Sequence, residues 1–308
     1  MKNQILKFIF VIVPPLIFLL WLEINLEKVP NSYNRKKKIF NQKSAFTENL
    51  FLGSSQALYG VIPELAAPSA INLANLNQDL TYDHRLLFHY IDSMPKLRRV
   101  FVTFTYFTLG YALENTEEIW RSWFYERVWK LERTSPERNL KSYSWVALYQ
   151  PRTALNFARN GFQNSAEQVL SSTGFQSMDS NRVFTPSLLS GKNAVDYHHG
   201  FFRFSSVEEN KVRVFEMAQL CRDRDIELII LLPPLHKTYR DQTLNWINGL
   251  NKKLLQNLRE VKKVRVLDFS AHSAFEDACF FDEFHLNHRG AIQMSKLIHQ
   301  EVFSNAKP

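Results

Sequence analysis

The sequence predicts a three-layer α/β/α domain on a five-stranded, mostly parallel sheet, with a largely helical insertion and an apolar helix at its N-terminus. Three observations predict it. Short β-branched or aromatic runs alternate with helix-period stretches through residues 48–105 and 206–303, the pattern of a parallel sheet covered on both faces. Residues 110–204 break the alternation with aromatic and charged stretches that carry no strand signal. Phe8 to Leu22 is uncharged and apolar. The chain has 308 residues, 45% of them apolar and 14% aromatic, enough for a sizeable core and unlike a disordered chain.

The first 27 residues are expected to form a signal anchor. Lys2 and Lys7 flank the run, and Ile5 and Leu6 extend it if Lys7 snorkels to the interface. The bulky stretch after Trp21 offers no small-residue cleavage site, so the segment reads as uncleaved. Pro14-Pro15 would kink it, which membrane helices tolerate. Residues 28–47 read as a basic linker that carries Arg35-Lys36-Lys37-Lys38, part of the formal charge of +8. Such a run suits an anionic membrane surface, or plain solvation, better than sequence-specific nucleic-acid binding. By the positive-inside rule Lys28 and this run argue for a cytoplasmic flank, against which the signal-like start argues for export. Two cysteines, Cys221 and Cys279, make neither a metal motif nor a disulfide framework. One bridge between them stays open, with a buried thiol favoured for Cys221 on an apolar helical face.

The domain proper spans 48–308, with the insertion at about 110–205. Asn49 to Gly53 is the first strand and Gln56 to Leu65 the first helix. Ala70 to Ala74 is a second strand after Pro68-Ser69. Tyr82 to Met94 is a helix ended by Pro95, and Arg99 to Thr105 a buried strand. Core packing is expected for the insertion aromatics Trp120, Trp123, Phe124, Tyr125 and Trp129. Ser206 and Glu209 form a capping-box pattern, followed by Val207, Val214, Phe215, Ala218 and Cys221 on one helical face. Glu227 to Leu232 is a strand ended by Pro233-Pro234, Gln242 to Arg259 a helix, Val264 to Leu267 a strand and Ala291 to Phe303 the last helix. Five strands with crossover helices suit a flavodoxin-like sheet, whose ligand crevice lies outside the strand C-termini.

Both chemistry-bearing stretches fall at that edge. In Leu50-Phe-Leu-Gly-Ser-Ser-Gln56 a strand stops at Gly53, which permits a sharp turn. Ser55 then stands at a helix N-terminus, where free N–H groups face a developing oxyanion. A serine needs a base and the base an orienting group. Asp282 and His285, three residues apart, can supply both. Competing readings are helix capping for Ser54 or Ser55, His288 as base and Asp268 as acid. His198-His199 has no third ligand at recognisable spacing, so no metal is expected. His236, at a strand end, belongs to the same crevice by topology. Phosphate-binding and dinucleotide glycine motifs are missing, and no cofactor is expected.

Gly53-Ser54-Ser55 early and Asp282-x-x-His285 late, before the Gly290-Ala291 helix start, resemble the motifs of the SGNH (GDSL-like) hydrolase and acyltransferase superfamily. The resemblance covers roughly residues 48–110 and 206–303. It implies Ser55 as nucleophile, His285 as base and Asp282 as acid. The sequence departs from the family at the oxyanion hole: Asn72 to Asp79 holds no glycine, and Thr103 to Thr108 holds no G-x-N. Asn75, Asn77, Thr105 or Tyr106 would have to donate instead. The Gly-Ser-Ser form with an anchor looks like the extracytoplasmic branch, which moves or removes acyl groups on cell-envelope glycans. The resemblance therefore implies an exported, single-pass esterase or O-acyltransferase acting on an acylated glycan or small ester beside envelope polysaccharide machinery. The alternative is a catalytically inactive glycan-binding or assembly component, or a peripheral protein acting through its basic run.

Overall fold

The computed structural model describes residues 2–134, 140–164, 170–179 and 184–304, with side chains from Phe10 onward. Two compact units are present: 1–35 with 120–168, and 36–119 with 169–308.

The larger unit holds the sheet. Its strands are β1 (Asn49–Leu52), β2 (Ala70–Asn72), β3 (Arg99–Thr103), β4 (Glu227–Leu232) and β5 (Val264–Asp268). They run β2-β1-β3-β4-β5, and every pairing is parallel, where the sequence suggested only mostly parallel. This is the flavodoxin-like order, and its direction reverses between β1 and β3, which is where such sheets open a crevice. Two helices precede β1: α1 (Lys2–Leu26) and α2 (Ser32–Lys43). Within the first half follow α3 (Ser55–Gly60), α4 (Pro63–Ala66) and α5 (Leu80–Tyr90). The described part of the insertion gives α6 (Ser122–Trp129), α7 (Leu140–Tyr143), α8 (Trp145–Tyr149), α9 (Pro151–Arg159) and α10 (Leu188–Gly200). The second half adds α11 (Phe204–Asp223), α12 (Lys237–Arg240), α13 (Asn245–Arg259) and α14 (His288–His299).

Strand alternation sorts the core. Phe51, Phe101, Ile229, Leu231 and Leu267 share one cluster with Met294 and Ile298 of α14. The alternate residues Leu50, Leu52, Val100, Val102, Leu228 and Ile230 are equally buried. On α11, Val214, Met217, Ala218 and Cys221 are buried, while Phe215, expected inward, is exposed. Cys221 and Cys279 are both buried free thiols.

Several expectations need correction. The helix expected over Gln56–Leu65 is broken into α3 and α4, because Pro63 opens a new helix rather than continuing the old one. Helix α5 starts at Leu80, two residues early, because the Asp79 side chain accepts from the Tyr82 N–H at 3.0 Å. The expected capping box at Ser206 does not form: α11 starts at Phe204 without a side-chain cap, and Ser206 is buried.

The basic run is not a free linker, since it lies in α2. Lys36 is 1% exposed, and its Nζ donates to the Asn72 and Gly174 carbonyls, both at 2.9 Å. Burial pulls this amine well below its usual range. Lys37 lies over the Tyr90 ring at 3.9 Å, while Lys38 is exposed.

In the smaller unit, Trp123, Phe124, Tyr125 and Trp129 are buried and Trp120 is exposed. Tyr33 stacks on Phe124 with centroids 4.9 Å apart. Leu22 and Leu26 of α1 are buried, and Glu23 accepts from the Trp145 and Val146 N–H groups that open α8, at 2.6 and 3.1 Å. No helix among the described residues is long and apolar enough to cross a membrane. Lys2, Ile5, Leu6 and Lys7, which framed the expected anchor, have side chains outside the described set.

Lys36→Met strands two buried carbonyls and should cost about 1–3 kcal/mol. Lys38→Met, in solvent, should stay within about 0.5 kcal/mol. Urea unfolding of the two variants checks the contrast.

Candidate active site

After β1 the chain turns at Gly53 with φ +126°. A Cβ there would lie 1.7 Å from Thr103 Oγ1, so both the conformation and the neighbouring strand demand glycine. The Gly53 N–H donates to Asp83 Oδ1 at 2.9 Å. Ser54 takes the N-cap position of α3 without a side-chain cap bond. Ser55 is the first helical residue, so its N–H and that of Gln56 belong to the unpaired first turn. Its hydroxyl is not used for capping: Ser55 Oγ lies 2.8 Å from His285 Nε2.

The opposing loop is tight for a local reason. Asp282 Oδ1 accepts from the Phe284 N–H at 2.9 Å and the His285 N–H at 2.7 Å, while Oδ2 lies 2.9 Å from His285 Nδ1. Burial opposes ionisation of Asp282, but the His285 hydrogen bond and charge with the two backbone N–H groups outweigh it and hold the carboxyl below its usual range. An ionised Asp282 keeps the His285 proton on Nδ1, which leaves Nε2 to accept from the serine hydroxyl. Gln56 Nε2 donates to the Phe284 carbonyl at 2.9 Å, fastening α3 to this loop. Asn287 closes it by accepting from the Gly290 N–H at 3.0 Å, which starts α14.

These groups border a cavity of about 290 Å³ whose wall also includes Tyr59, Phe107, Tyr111, Phe201 and Phe284. Of the oxyanion candidates, Asn77 and Thr105 line it. Asn75 does not; it is buried, its Oδ1 accepting from the Leu76 N–H at 2.9 Å. Tyr106 is also placed elsewhere: its hydroxyl accepts from the Leu244 N–H at 3.1 Å, in a separate groove. Asp268 borders that same groove and caps Ser270, so it is not the acid beside His285. His288 starts α14 with Nδ1 3.1 Å from Ser177 Oγ. His236 is paired with Asp277 at 3.0 Å and does not line the cavity.

Beyond the residues expected from the sequence, the wall includes two buried carboxyls, Asp79 and Asp83, and the His198 imidazole. Asp83 accepts from Gly53 and, at 2.6 Å, from Gln78 Nε2. Burial pushes its carboxyl up to about 8. Asp79 Oδ2 accepts from the Leu113 N–H at 2.8 Å, and burial raises it too. The available signal was Asp79 before a helix with Asp83 four residues on. His198, which the sequence suggests only as half of a metal-ligand pair, lies on α10.

No family model matches this chain, and no curated protein matches it. The solved structures that match this chain include three at low identity. One is provisionally described as a platelet activating factor from Streptococcus pneumonia, 13% identical over 94% of this chain and 97% of that chain, with a TM-score of 0.41. Another, provisionally described as an acylhydrolase from Bacteroides fragilis, is 11% identical over 90% and 100%, with a TM-score of 0.42. A GDSL-like lipase from Bacteroides thetaiotaomicron is 12% identical over 88% and 98%, with a TM-score of 0.41. At such identities and TM-scores, likeness says nothing of chemistry.

Asp83 binds a proton in the folded state between its ordinary carboxyl range and about 8, and the unfolded chain gives that proton up. Stability should therefore fall as pH rises through this window. Asp83→Asn keeps an acceptor for Gly53 and Gln78 and removes this titration. Urea unfolding at pH 5 and pH 8 should show a smaller loss for the variant; Asp79 continues to contribute in both proteins.

Proposed function

We propose that this chain is an SGNH-like serine ester hydrolase or O-acyltransferase that acts on an acylated cell-envelope glycan or a similar ester. The observation that carries the proposal is the hydrogen-bonded series Ser55 Oγ, His285 Nε2, His285 Nδ1, Asp282 Oδ2, with steps of 2.8 and 2.9 Å. It lies at the C-terminal edge of a parallel sheet and opens on a cavity.

The chemistry follows from the geometry. Ser55 Oγ attacks the ester carbonyl carbon as its proton passes to His285 Nε2. The tetrahedral oxyanion faces the Ser55 backbone N–H, with Asn77 and Thr105 as neighbouring donors. Collapse breaks the bond to the leaving oxygen, which takes the proton from His285. Water, or a glycan hydroxyl, then attacks the acyl-serine. It gives its proton to His285, and the Ser55 oxygen recovers it as the acyl group departs. Asp282 orients the imidazole and stabilises its charged form.

Anchoring by residues 1–27, with the domain outside the cytoplasm, belongs to the same proposal. Phe10, Val11, Leu16, Ile17 and Leu20 of α1 are exposed, a band of apolar surface that suits lipid. The glycan reading rests on the resemblance and on cavity tyrosines Tyr59, Tyr111 and Tyr197, whose rings suit sugar faces.

A fluorophosphonate serine probe tests the reading on the full chain in detergent. Wild type should label, Ser55→Ala should not, and His285→Ala should slow labelling by about 10²-fold or more. No labelling of folded wild type would favour the inactive glycan-binding alternative. The full chain should also stay with membranes through carbonate extraction; release would remove the anchor from the proposal.

A further inference from the structure

The cavity wall holds a second histidine that the serine, base and acid do not use. His198, on α10, borders the same cavity as Ser55 and His285. Its ring stacks on Phe107 at 4.5 Å and lies 4.2 Å from Phe284. Its Nδ1 is 2.7 Å from the Tyr239 hydroxyl.

That contact fixes a proton. Tyr239 is 0% exposed, and His198 Nδ1 is the hydrogen-bond partner of its hydroxyl among the described residues. Burial raises the Tyr239 pKa further above its ordinary value, so the hydroxyl keeps its proton. A buried O–H without an acceptor is costly; Tyr239 therefore donates, and Nδ1 is the bare nitrogen. The imidazole proton must then sit on Nε2. Burial, helped by His285 and opposed by the Asp282 charge, holds His198 down to about 3, so the ring is neutral at working pH. Nε2–H, the ring's remaining polar group, makes no hydrogen bond among the described residues, and the His198 side chain lines the cavity.

We propose that His198, locked as the Nε2–H tautomer by Tyr239, donates a hydrogen bond to the ester carbonyl oxygen as it becomes an oxyanion. This rests on the reading of Ser55 as nucleophile. It supplies a side-chain donor in a sequence with no glycine in Asn72–Asp79 and no G-x-N in Thr103–Thr108. A neutral donor suits the task because it strengthens as charge develops and adds no cation beside His285, which must itself become charged.

The test is kinetic and spectroscopic, on the full chain in detergent with p-nitrophenyl acetate as ester. His198→Phe keeps a ring between Phe107 and Phe284 and removes the donor. It should lower kcat about 10- to 10³-fold with little change in KM. His198→Gln, which keeps an N–H, should recover part of that loss. Because His198→Phe strands the Tyr239 hydroxyl, the double variant with Tyr239→Phe restores the packing and should keep the low kcat. Nitrogen-15 spectra should show protonated Nε2 and bare Nδ1 at His198. Four results overturn the proposal alone: kcat within twofold of wild type, a loss confined to KM, no recovery by Gln, or an Nδ1–H tautomer. A wild type with neither turnover nor Ser55 labelling overturns the parent reading and this one with it.

Discussion

Gly53 lies where β1 stops, α3 begins and β3 passes alongside, and each demand limits the others. The turn needs φ +126°. Thr103 leaves no room for a side chain. The freed N–H needs an acceptor in a buried place, and Asp83 provides it at 2.9 Å. Ser55, two residues on, inherits its position from this turn rather than from contacts of its own. The His285 loop is brought into line in the same indirect way. Gln56, next to the serine, holds the Phe284 carbonyl next to the histidine. Two segments 230 residues apart are therefore aligned mainly by their neighbours, and the serine and imidazole are left with one bond between them.

The ground beneath this site is polar, which is unusual for the inside of a domain. Asp79 and Asp83 are buried carboxyls, and each is satisfied by donors that would otherwise be orphaned. Asp79 serves the Tyr82 and Leu113 N–H groups. Asp83 serves Gly53 and Gln78. Asn210 works in the same manner on the loop after β3, donating to the Leu109 and Tyr111 carbonyls at 2.9 and 3.0 Å. Such groups add little net stability, but each is expensive to leave unpaired. They therefore select one loop conformation over its competitors. A cavity lined by irregular backbone needs that selection more than a strand or helix does.

The parts legible in the sequence are those set by local rules. Strand cores such as Val100–Val102 and Leu228–Leu231 announce themselves by continuous apolar character. The turn at Gly53 and the three-residue spacing of Asp282 and His285 need nothing outside their own segments. The parts that were missed depend on what lies across the fold. Lys36 looks like one of four solvated cations, and the carbonyls of Asn72 and Gly174 that bury it are 36 and 138 residues away. Ser206 and Glu209 match a cap, yet the helix had already begun at Phe204. Tyr106 follows a strand at the right edge, but its side chain leaves for Leu244. His198 drew notice only as half of a pair, since nothing in its own segment shows Tyr239, Phe107 or Phe284.

His198 also shows what the insertion does for the sheet. A parallel sheet by itself offers an open crevice at its strand ends. Residues of α10 and its end, Tyr197, His198 and Phe201, wall that crevice into a cavity with Phe107 and Phe284. Aromatic walls lower the local dielectric, which strengthens hydrogen bonds aimed at developing charge. The other side stays open: the His285 and Asp282 side chains are 20% and 31% exposed. On the proposed reading this asymmetry has a consequence. On that reading the acyl carbonyl lies toward the aromatic side of the cavity, while the second nucleophile arrives at the part-exposed His285. On the same reading water competes with a glycan hydroxyl at His285 unless the acceptor covers the cavity mouth. Under the proposal, the balance between hydrolysis and transfer follows from how well the acceptor fills that opening.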